Sequence, residues 1–229
     1  MPLKFTSSSA YGLRTANLGG SNSWTIMVNV KLAATNNEGW VFIVSDQVDQ
    51  WVGAIATTGE YRLTIVGNSY VTNYVDPSTS WHHLALVCNA GTYTLYHTAA
   101  DGTQTVVNSQ GYDSGYVPTE IYLGLNFTYL FIDSLQASYR HLKYWNGVAL
   151  TSGEVAAEYN KATPQKAGAT MYWPLADATD PSPESIGNYT LNLNDSGSYA
   201  NDTDEPSYVT AGASAVVSQA QYFARLRNG

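Results

Sequence analysis

The sequence predicts an all-β fold, an antiparallel β-sandwich of two sheets, and three observations indicate it. First, segment 24–32 alternates strictly between apolar and more polar residues, which is typical of a strand with one face in a core. Second, short apolar, β-branched or aromatic runs recur at about eight- to twelve-residue spacing, separated by Gly, Asn, Asp and Pro. Third, charged residues make up only 12% of the chain, and its 18 tyrosines with abundant Thr and Asn suit pleated sheets joined by tight turns.

The predicted strands follow one another through most of the chain. In the first, Trp24, Ile26 and Val28 point to one face, while Thr25 and Met27 point to the other. The predicted strands are 24–32, 40–45, 51–57, 61–66, 70–75, 81–88, 92–98, 103–107, 121–125, 135–145, 170–175 and 189–193.

One short helix interrupts this pattern near residues 151–160. Thr151 and Glu154 have the spacing of a capping box, in which each side chain accepts a hydrogen bond from the other residue's backbone amide. The apolar spacing in Ser214–Arg227 indicates a C-terminal helix, although a strand fits it as well. We therefore expect one domain over residues 1–210 and a C-terminal segment, 211–229, that packs on the domain or on a partner.

Charge and composition exclude several classes of partner. The formal net charge is −8 and the basic residues do not cluster, so nucleic acid and anionic membranes are poor partners. No apolar run approaches the roughly 18 residues of a membrane span, so we expect no membrane insertion. Residues 1–13 lack the apolar core of a secretory signal, so either a signal has been removed or the protein is made in the cytosol and reaches its site by assembly. The single cysteine, Cys88, allows no intrachain disulfide and fits a small buried residue.

Segment 81–88 is apolar on both faces. Trp81, His83 and Ala85 share one face, and the residues between them share the other. A strand of this kind lies in the middle of a sandwich, covered on both sides. Because neighbouring side chains point to opposite faces, His82 and His83 cannot hold one metal ion together, and core positions are expected for both.

Two parts of the chain carry a family resemblance. Ser-Trp-His-His-Leu-Ala-Leu-Val at 80–87, followed by 91–96 and a turn, resembles the Trp-x-His-hydrophobic-Ala strand and its hairpin partner in concanavalin A-like, laminin-G-like jelly rolls. The segments 121–124 and 135–146, followed by a Leu-Thr-x-x-Glu helix start at 150–154, are similar to the late part of that family. The resemblance implies a jelly-roll sandwich. Relatives of this fold include lectins, adhesion modules, hydrolases, lyases and phage tail or virion proteins, so it does not imply one function.

Catalytic motifs of this family are missing from the sequence. Its glucanases carry Glu-x-Asp-x-x-Glu on one strand, which places the first two carboxyls about 7 Å apart on one face. Here the only alternating acid pair is Asp202 and Asp204, in a polar segment. No Gly-x-Ser-x-Gly elbow, phosphate-binding loop or His-Glu-x-x-His motif occurs either. We therefore expect no enzyme activity.

The candidate ligand-binding residues are aromatic and amide side chains, because the apolar C–H face of a sugar stacks on a ring while its hydroxyls need polar partners. One loop and the strands near it supply Gln47, Asp49, Gln50, Trp51, Tyr70 and Tyr74. Trp40 belongs to the same set of aromatic candidates, and for each of them packing or a position on an edge strand is the plainer explanation. For a metal, the oxygen ligands that suit Ca²⁺ are Asp195, Asp202 and Asp204. A solvated acidic loop also explains these three, since no defined calcium-loop spacing is present.

These features favour a non-catalytic recognition module that binds glycans or a glycosylated surface. The alternative is a structural protein of a virion or appendage surface, attached to a scaffold protein or assembled as a homo-oligomer. A carbohydrate-active enzyme would require carboxylates that the sequence does not place together. The first two functions predict a location on a virion, on a cell surface or outside the cell.

Overall fold

Alternating side-chain burial organises the chain into two sheets and one short helix in the computed structural model. The structure describes residues 2–6, 12–15, 18, 21–35, 38–46, 51–57, 60–65, 68–70, 73, 75, 78–113, 115–124, 135–176, 186, 192–193, 199–202 and 204–206. The elements within these residues are β1 Leu3–Phe5, β2 Gly12–Thr15, β3 Ser23–Leu32, β4 Gly39–Ser45, β5 Trp51–Thr57, β6 Glu60–Ile65, β7 Asn68–Tyr70, β8 Trp81–Asn89, β9 Thr92–Thr98, β10 Gln104–Gly111, β11 Glu120–Leu123, β12 Ala137–Asn146, α1 Ser152–Glu158, β13 Met171–Trp173, β14 Asn192–Leu193 and β15 Tyr199–Asn201.

The strands form two antiparallel sheets, which confirms the predicted fold class. Among the described residues, one sheet has eight strands in the order β10-β9-β8-β3-β12-β1-β15, with β13 beside β12. The other has seven, in the order β14-β2-β11-β4-β5-β6-β7. The chain crosses from one sheet to the other after β3, returns after β7 and crosses again after β10. Such crossings between sheets give the sandwich its jelly-roll connectivity.

The main core lies between the two sheets. On β3, Trp24, Ile26 and Val28 point into it, as the alternation in the sequence predicts. Phe42 of β4 and Tyr61 of β6 meet them from the opposite sheet, and each of these side chains is fully buried. Sheets packed face to face in this way bury the apolar half of every strand and leave the other half outside.

The outer face of the eight-stranded sheet has a cover of its own. Met27 and Val87 on this face pack against Trp145, and Leu150 and Val155 close over them from the helical segment. The helix begins where the sequence predicts, with the capping box intact: Thr151 Oγ1 accepts from the Glu154 amide, and the Glu154 carboxylate accepts from the Thr151 amide at 2.9 Å. Because β8 is thus covered on both sides, all its residues but the last are buried.

A buried ion pair fastens the end of α1 to the sheet. Lys143 of β12 donates to the Glu158 carboxylate at 2.8 Å and to the Glu158 carbonyl at 3.0 Å, and both side chains are only 2% exposed. The second carboxylate oxygen of Glu158 accepts from the backbone amides of Gln165 and Lys166. Burial lowers the pKa of Lys143, and the attraction of Glu158 opposes this effect. The carboxylate therefore joins the sheet, the helix and the chain that follows the helix.

All four histidines of the chain are buried in the eight-stranded sheet: His82, His83, His97 and His141. The His82 and His97 rings face Tyr61 in the sandwich and are joined by a hydrogen bond of 2.7 Å, whereas His83 lies on the outer side near Tyr159. This arrangement confirms that His82 and His83 point to opposite faces. Burial lowers the pKa of His82 and of His97 to about 4, that of His141 to about 3, and that of His83 well below its usual value.

Other sequence predictions had mixed outcomes. The strands predicted at 24–32, 51–57 and 92–98 are confirmed, and Cys88 is a buried free thiol. The strand predicted at 70–75 is wrong in its bounds, since the described strand is Asn68–Tyr70 and serves only as a short partner of β6. Three short strands, β1, β2 and β15, carry no alternation long enough to be recognised in the sequence. The predicted C-terminal helix lies outside the described residues.

The helices described by the structure include none that is long and apolar enough to cross a lipid bilayer.

We predict that removing one partner of the buried ion pair destabilises the fold more than removing both. Lys143→Met should lower the free energy of unfolding by about 3–5 kcal/mol, because it leaves the Glu158 carboxylate buried and unpaired. Lys143→Met combined with Glu158→Gln should recover part of this loss. Urea unfolding of the single and double variants measures both effects.

Lys166→Ala is the matched control for this experiment. Lys166 pairs with Glu154 at 2.5 Å, but its side chain is 42% exposed, so its loss should cost less than about 1 kcal/mol. Equal effects of Lys143→Met and Lys166→Ala would contradict the structural role assigned to the buried pair.

We also predict that the protein loses stability as the pH falls from about 6.5 towards about 4. The native state holds its histidines neutral in this range, whereas the unfolded state binds protons, so the free energy of unfolding falls by at most about 1.4 kcal/mol per pH unit for each histidine. The range between about pH 6.5 and 5 is the most informative, because few carboxylates titrate there. Urea unfolding should show a shallower pH dependence for His97→Gln, and a free energy that is constant over this range would refute the prediction.

Candidate functional site

Trp51 opens β5 and lies on the outer face of the seven-stranded sheet. Val52 and Ala54 pack into the main core, so the period of two directs Trp51, Gly53 and Ile55 away from it. The indole is half-buried. Trp51, one of the residues predicted to bind a ligand, therefore lies on a sheet surface and not in the main core.

A β-bulge in β4 turns Trp40 to the same outer face. The pairing of β4 with β5 shifts between Trp40 and Phe42, so Phe42 packs into the core while Trp40 joins Ile43 outside it. The bulge brings the two backbones so close that a Cβ atom on Gly53 would overlap the Phe42 carbonyl oxygen. Glycine at position 53 is therefore required for the bulge, and the bulge for the position of Trp40.

Five side chains form an aromatic surface on this face. Trp40, Ile43 and Ile55 are buried, and Trp51 and Tyr122 pack against them half-buried. The two indoles meet edge to face, with ring centroids 5.1 Å apart and an interplanar angle of 88°. This contact holds the Trp51 ring in one orientation, which reduces the side-chain entropy that a ligand would otherwise have to remove.

Polar groups border the aromatic surface at both ends. The Tyr122 hydroxyl donates to the carboxylate of Glu120, a residue that is only 6% exposed. Near the opposite end Arg62 pairs with Ile55 across the sheet and donates to Glu60 at 2.5 Å, while its side chain is 40% exposed. Rings flanked by a carboxylate and a guanidinium can stack on an apolar ligand face and hydrogen bond its hydroxyl groups.

The two carboxylates that the described residues place on this face are too far apart to act on one glycosidic bond. Glu120 lies in register with Ser45 and Trp51, at the first residue of β5, whereas Glu60 pairs with Thr57, at its last. A strand rises about 3.3 Å per residue, so the Cα atoms of the two residues are about 20 Å apart along the strand direction alone. Glycosidases hold their two carboxyls within about 5–10 Å. The arrangement suits binding and does not suit this type of catalysis.

The structure separates the predicted ligand-binding residues. Tyr70 pairs with Leu63 and packs against the main core, so it lies on the inner face of the sheet and not beside Trp51. The predicted residues that fall outside the described part of the chain are Gln47, Asp49, Gln50 and Tyr74. Tyr122 was missed by the sequence reasoning, since its place on this surface depends on the order of the strands, and the contact of Trp40 with Trp51 depends on the bulge.

Two of the three acidic residues predicted to bind calcium, Asp202 and Asp204, make contacts within the protein. Lys31 lies 2.8 Å from the Asp202 carboxylate and 3.0 Å from that of Asp204, and Ser138 donates to Asp202. Burial alone would raise the pKa of the Asp202 carboxyl, but the hydrogen bonds from Lys31 and Ser138 lower this pKa to about 2. The third predicted ligand, Asp195, lies outside the described residues. Within the described part of the chain no three His, Cys, Asp or Glu side chains are grouped to hold a metal ion, and the calcium site stays a prediction.

Comparison with solved structures shows which known proteins have a similar fold. The chain resembles a protein from Bacteroides ovatus named as a candidate carbohydrate-binding protein, with a TM-score of 0.64 and 13% identity over 89% of this chain and 61% of that one. It also resembles the heptameric SAP-like pentraxin of Limulus polyphemus, with a TM-score of 0.56 and 12% identity over 88% of this chain and 94% of that one. Domain 4 of the extracellular arabinanase AbnA from Geobacillus stearothermophilus, solved in complex with arabinotriose, matches at a TM-score of 0.50 and 20% identity, over 65% of this chain and 72% of that one.

No family model matches the sequence, and no curated protein matches it either. This chain spans about three fifths of the length of the Bacteroides ovatus protein. At identities of 20% or less, these likenesses establish the fold alone. The chain has the concanavalin A-like jelly-roll fold that the sequence resemblance implies.

Proposed function

We propose that this chain is a non-catalytic glycan-recognition module and that the aromatic surface binds the sugar. The observation that carries the proposal is the pair of half-buried rings, Trp51 and Tyr122, held on the outer face of the seven-stranded sheet beside the Glu120 carboxylate. A sugar ring would stack its C–H face on the indole, and its hydroxyls would donate to Glu120.

The fold neighbours support this class of function. One is named as a candidate carbohydrate-binding protein, and another is a domain of an arabinanase solved with arabinotriose. Recognition of this kind requires rigid presentation of a few side chains, and sheet strands supply it better than loops. We place such a module outside the cell or on a surface. The alternative of a virion or appendage surface protein has no specific contact among the described residues in its favour.

We predict that Trp51→Ala weakens glycan binding at least tenfold, because it removes the stacking ring from the aromatic surface. A glycan array with the purified chain identifies the sugar, and titration calorimetry with that sugar measures the change. Trp51→Phe, which keeps a smaller ring, should have an intermediate effect. The matched control is Tyr112→Ala, since Tyr112 is an exposed aromatic residue away from this surface, 47% exposed after the end of β10.

An array on which no glycan binds would overturn the proposed function. Binding that Trp51→Ala and Tyr112→Ala leave equally unchanged would show that the aromatic surface is not the site. Circular dichroism and urea unfolding of Trp51→Ala must show a folded protein, because the residue also packs against Trp40.

We further predict that glycan binding is unchanged by a calcium chelator. Lys31 already forms ion pairs with both Asp202 and Asp204, and a calcium ion would have to displace its ammonium group. Running the same array with added Ca²⁺ and again with chelator tests this directly. Loss of binding in chelator would instead support the calcium site predicted at Asp195, Asp202 and Asp204.

A further inference from the structure

A second recessed surface lies on the other side of the sandwich. It is a groove of about 310 Å³ on the outer face of the eight-stranded sheet, between the β8–β9 hairpin and the segment that leads into α1. The residues that line this groove include Val87, Asn89, Thr92, Thr94, Tyr96 and Leu150. None of its lining residues carries a charge.

The hairpin builds one wall of the groove from residues in fixed register. Asn89 pairs with Thr92, and Val87 pairs with Thr94, so side chains from both strands emerge side by side on the outer face. The turn between the strands consists of Ala90 and Gly91, both with positive φ, which is the geometry of a tight two-residue hairpin. Since β8 and β9 also pair with β3 and β10 on their other sides, this wall is rigid and has no free backbone edge.

The groove has an apolar floor and a polar rim. Val87 and Leu150 are buried in the cluster under α1, and Tyr96 packs half-buried against the same cluster. Burial raises the pKa of Tyr96, so its hydroxyl stays protonated at neutral pH and can both donate and accept. At the rim, Asn89 and Thr92 are exposed.

We propose that this groove is a second binding site, specific for a neutral sugar unit. The floor and the Tyr96 ring offer contact to the C–H face of a pyranose, and the Asn89 amide and the Thr92 hydroxyl offer partners to its hydroxyl groups. The uncharged lining provides no counter-ion for a sulfate, phosphate or carboxylate, and the net charge of −8 disfavours anions further. The volume lies at the low end for ligand sites, which suits one small unit and not a long chain.

A peptide strand fits the groove less well than a sugar. Strand addition requires unpaired backbone groups at a sheet edge, and β8 and β9 have none because both are interior strands. A ligand in the groove is therefore recognised by the lining side chains alone.

The two sites lie on opposite outer faces of the sandwich, since the aromatic surface belongs to the seven-stranded sheet. If both bind sugars, one copy of the chain can bridge two glycans. The bivalence rests on the proposed function, whereas binding in the groove does not.

Chemical-shift mapping of the ¹⁵N-labelled chain tests the groove. The probes are the neutral methyl glycosides of glucose, galactose, mannose and N-acetylglucosamine, with the methyl glycoside of N-acetylneuraminic acid as the anionic control. We expect saturable shifts of the Asn89, Thr92 and Tyr96 amides with at least one neutral glycoside and none with the anionic one. Tyr96→Ala should abolish them, Tyr96→Phe should retain them, and Trp51→Ala should leave them unchanged.

Asn89→Ala is a second variant that tests the groove even if Tyr96→Ala disturbs the fold. Asn89 is exposed, so its substitution removes one hydrogen-bonding group without opening the core and should weaken binding several-fold. Absence of saturable shifts at these amides with every neutral glycoside would overturn the proposal, as would shifts that neither Tyr96→Ala nor Asn89→Ala alters. Groove shifts without any response at Trp51 would leave the groove standing and show that the aromatic surface binds none of these five glycosides.

Discussion

Strand β8, which lies inside the eight-stranded sheet, is apolar on both faces, and this constraint determines much of the remaining structure. The inner face of β8 meets the opposite sheet, and the outer face requires a second cover, which the helical segment supplies through Leu150 and Val155. A seven-residue helix has little stability of its own. Its position depends on the capping box at its start and on the Lys143–Glu158 pair at its end. The groove exists because this cover ends short of the hairpin tip and leaves Val87 and Tyr96 at its margin.

Much of the sandwich could be predicted from the sequence, because the alternation of apolar and polar residues in strands such as β3 indicates which side chains face the core. The same rule separated His82 from His83. Features that depend on contacts distant in sequence could not be predicted. The burial of Lys143 is evident only when β12 is placed beneath α1, and the ion pair of Asp202 with Lys31 is evident only when β15 is placed beside β1.

The candidate sites show the same limit more sharply. Trp51 and Trp40 could be selected as aromatic candidates, but the contact between them could not be predicted. Trp40 reaches the surface only through the bulge that Gly53 permits, and Tyr122 only because β11 lies next to β4. In the groove, the hairpin and Leu150 are more than fifty residues apart in sequence. A periodic pattern indicates the face of a strand on which a side chain lies, but not which strand lies beside it.

The two outer faces differ in the ligands that they can select. The aromatic surface is bordered by Glu120 at one end and by the Arg62–Glu60 pair at the other, so it can discriminate among hydroxyl arrangements by charge-assisted hydrogen bonds. The groove has no charge, and a neutral hydroxyl or amide at its rim forms weaker and less selective hydrogen bonds. Affinity in the groove must therefore come from its apolar floor and from the rigidity of the hairpin, since a wall already held in one conformation loses little entropy when a ligand binds. One outer face of this rigid sandwich is the more selective and the other is the more permissive. Such a molecule is suited to holding a glycan-covered surface by two contacts, each of which can be weak alone.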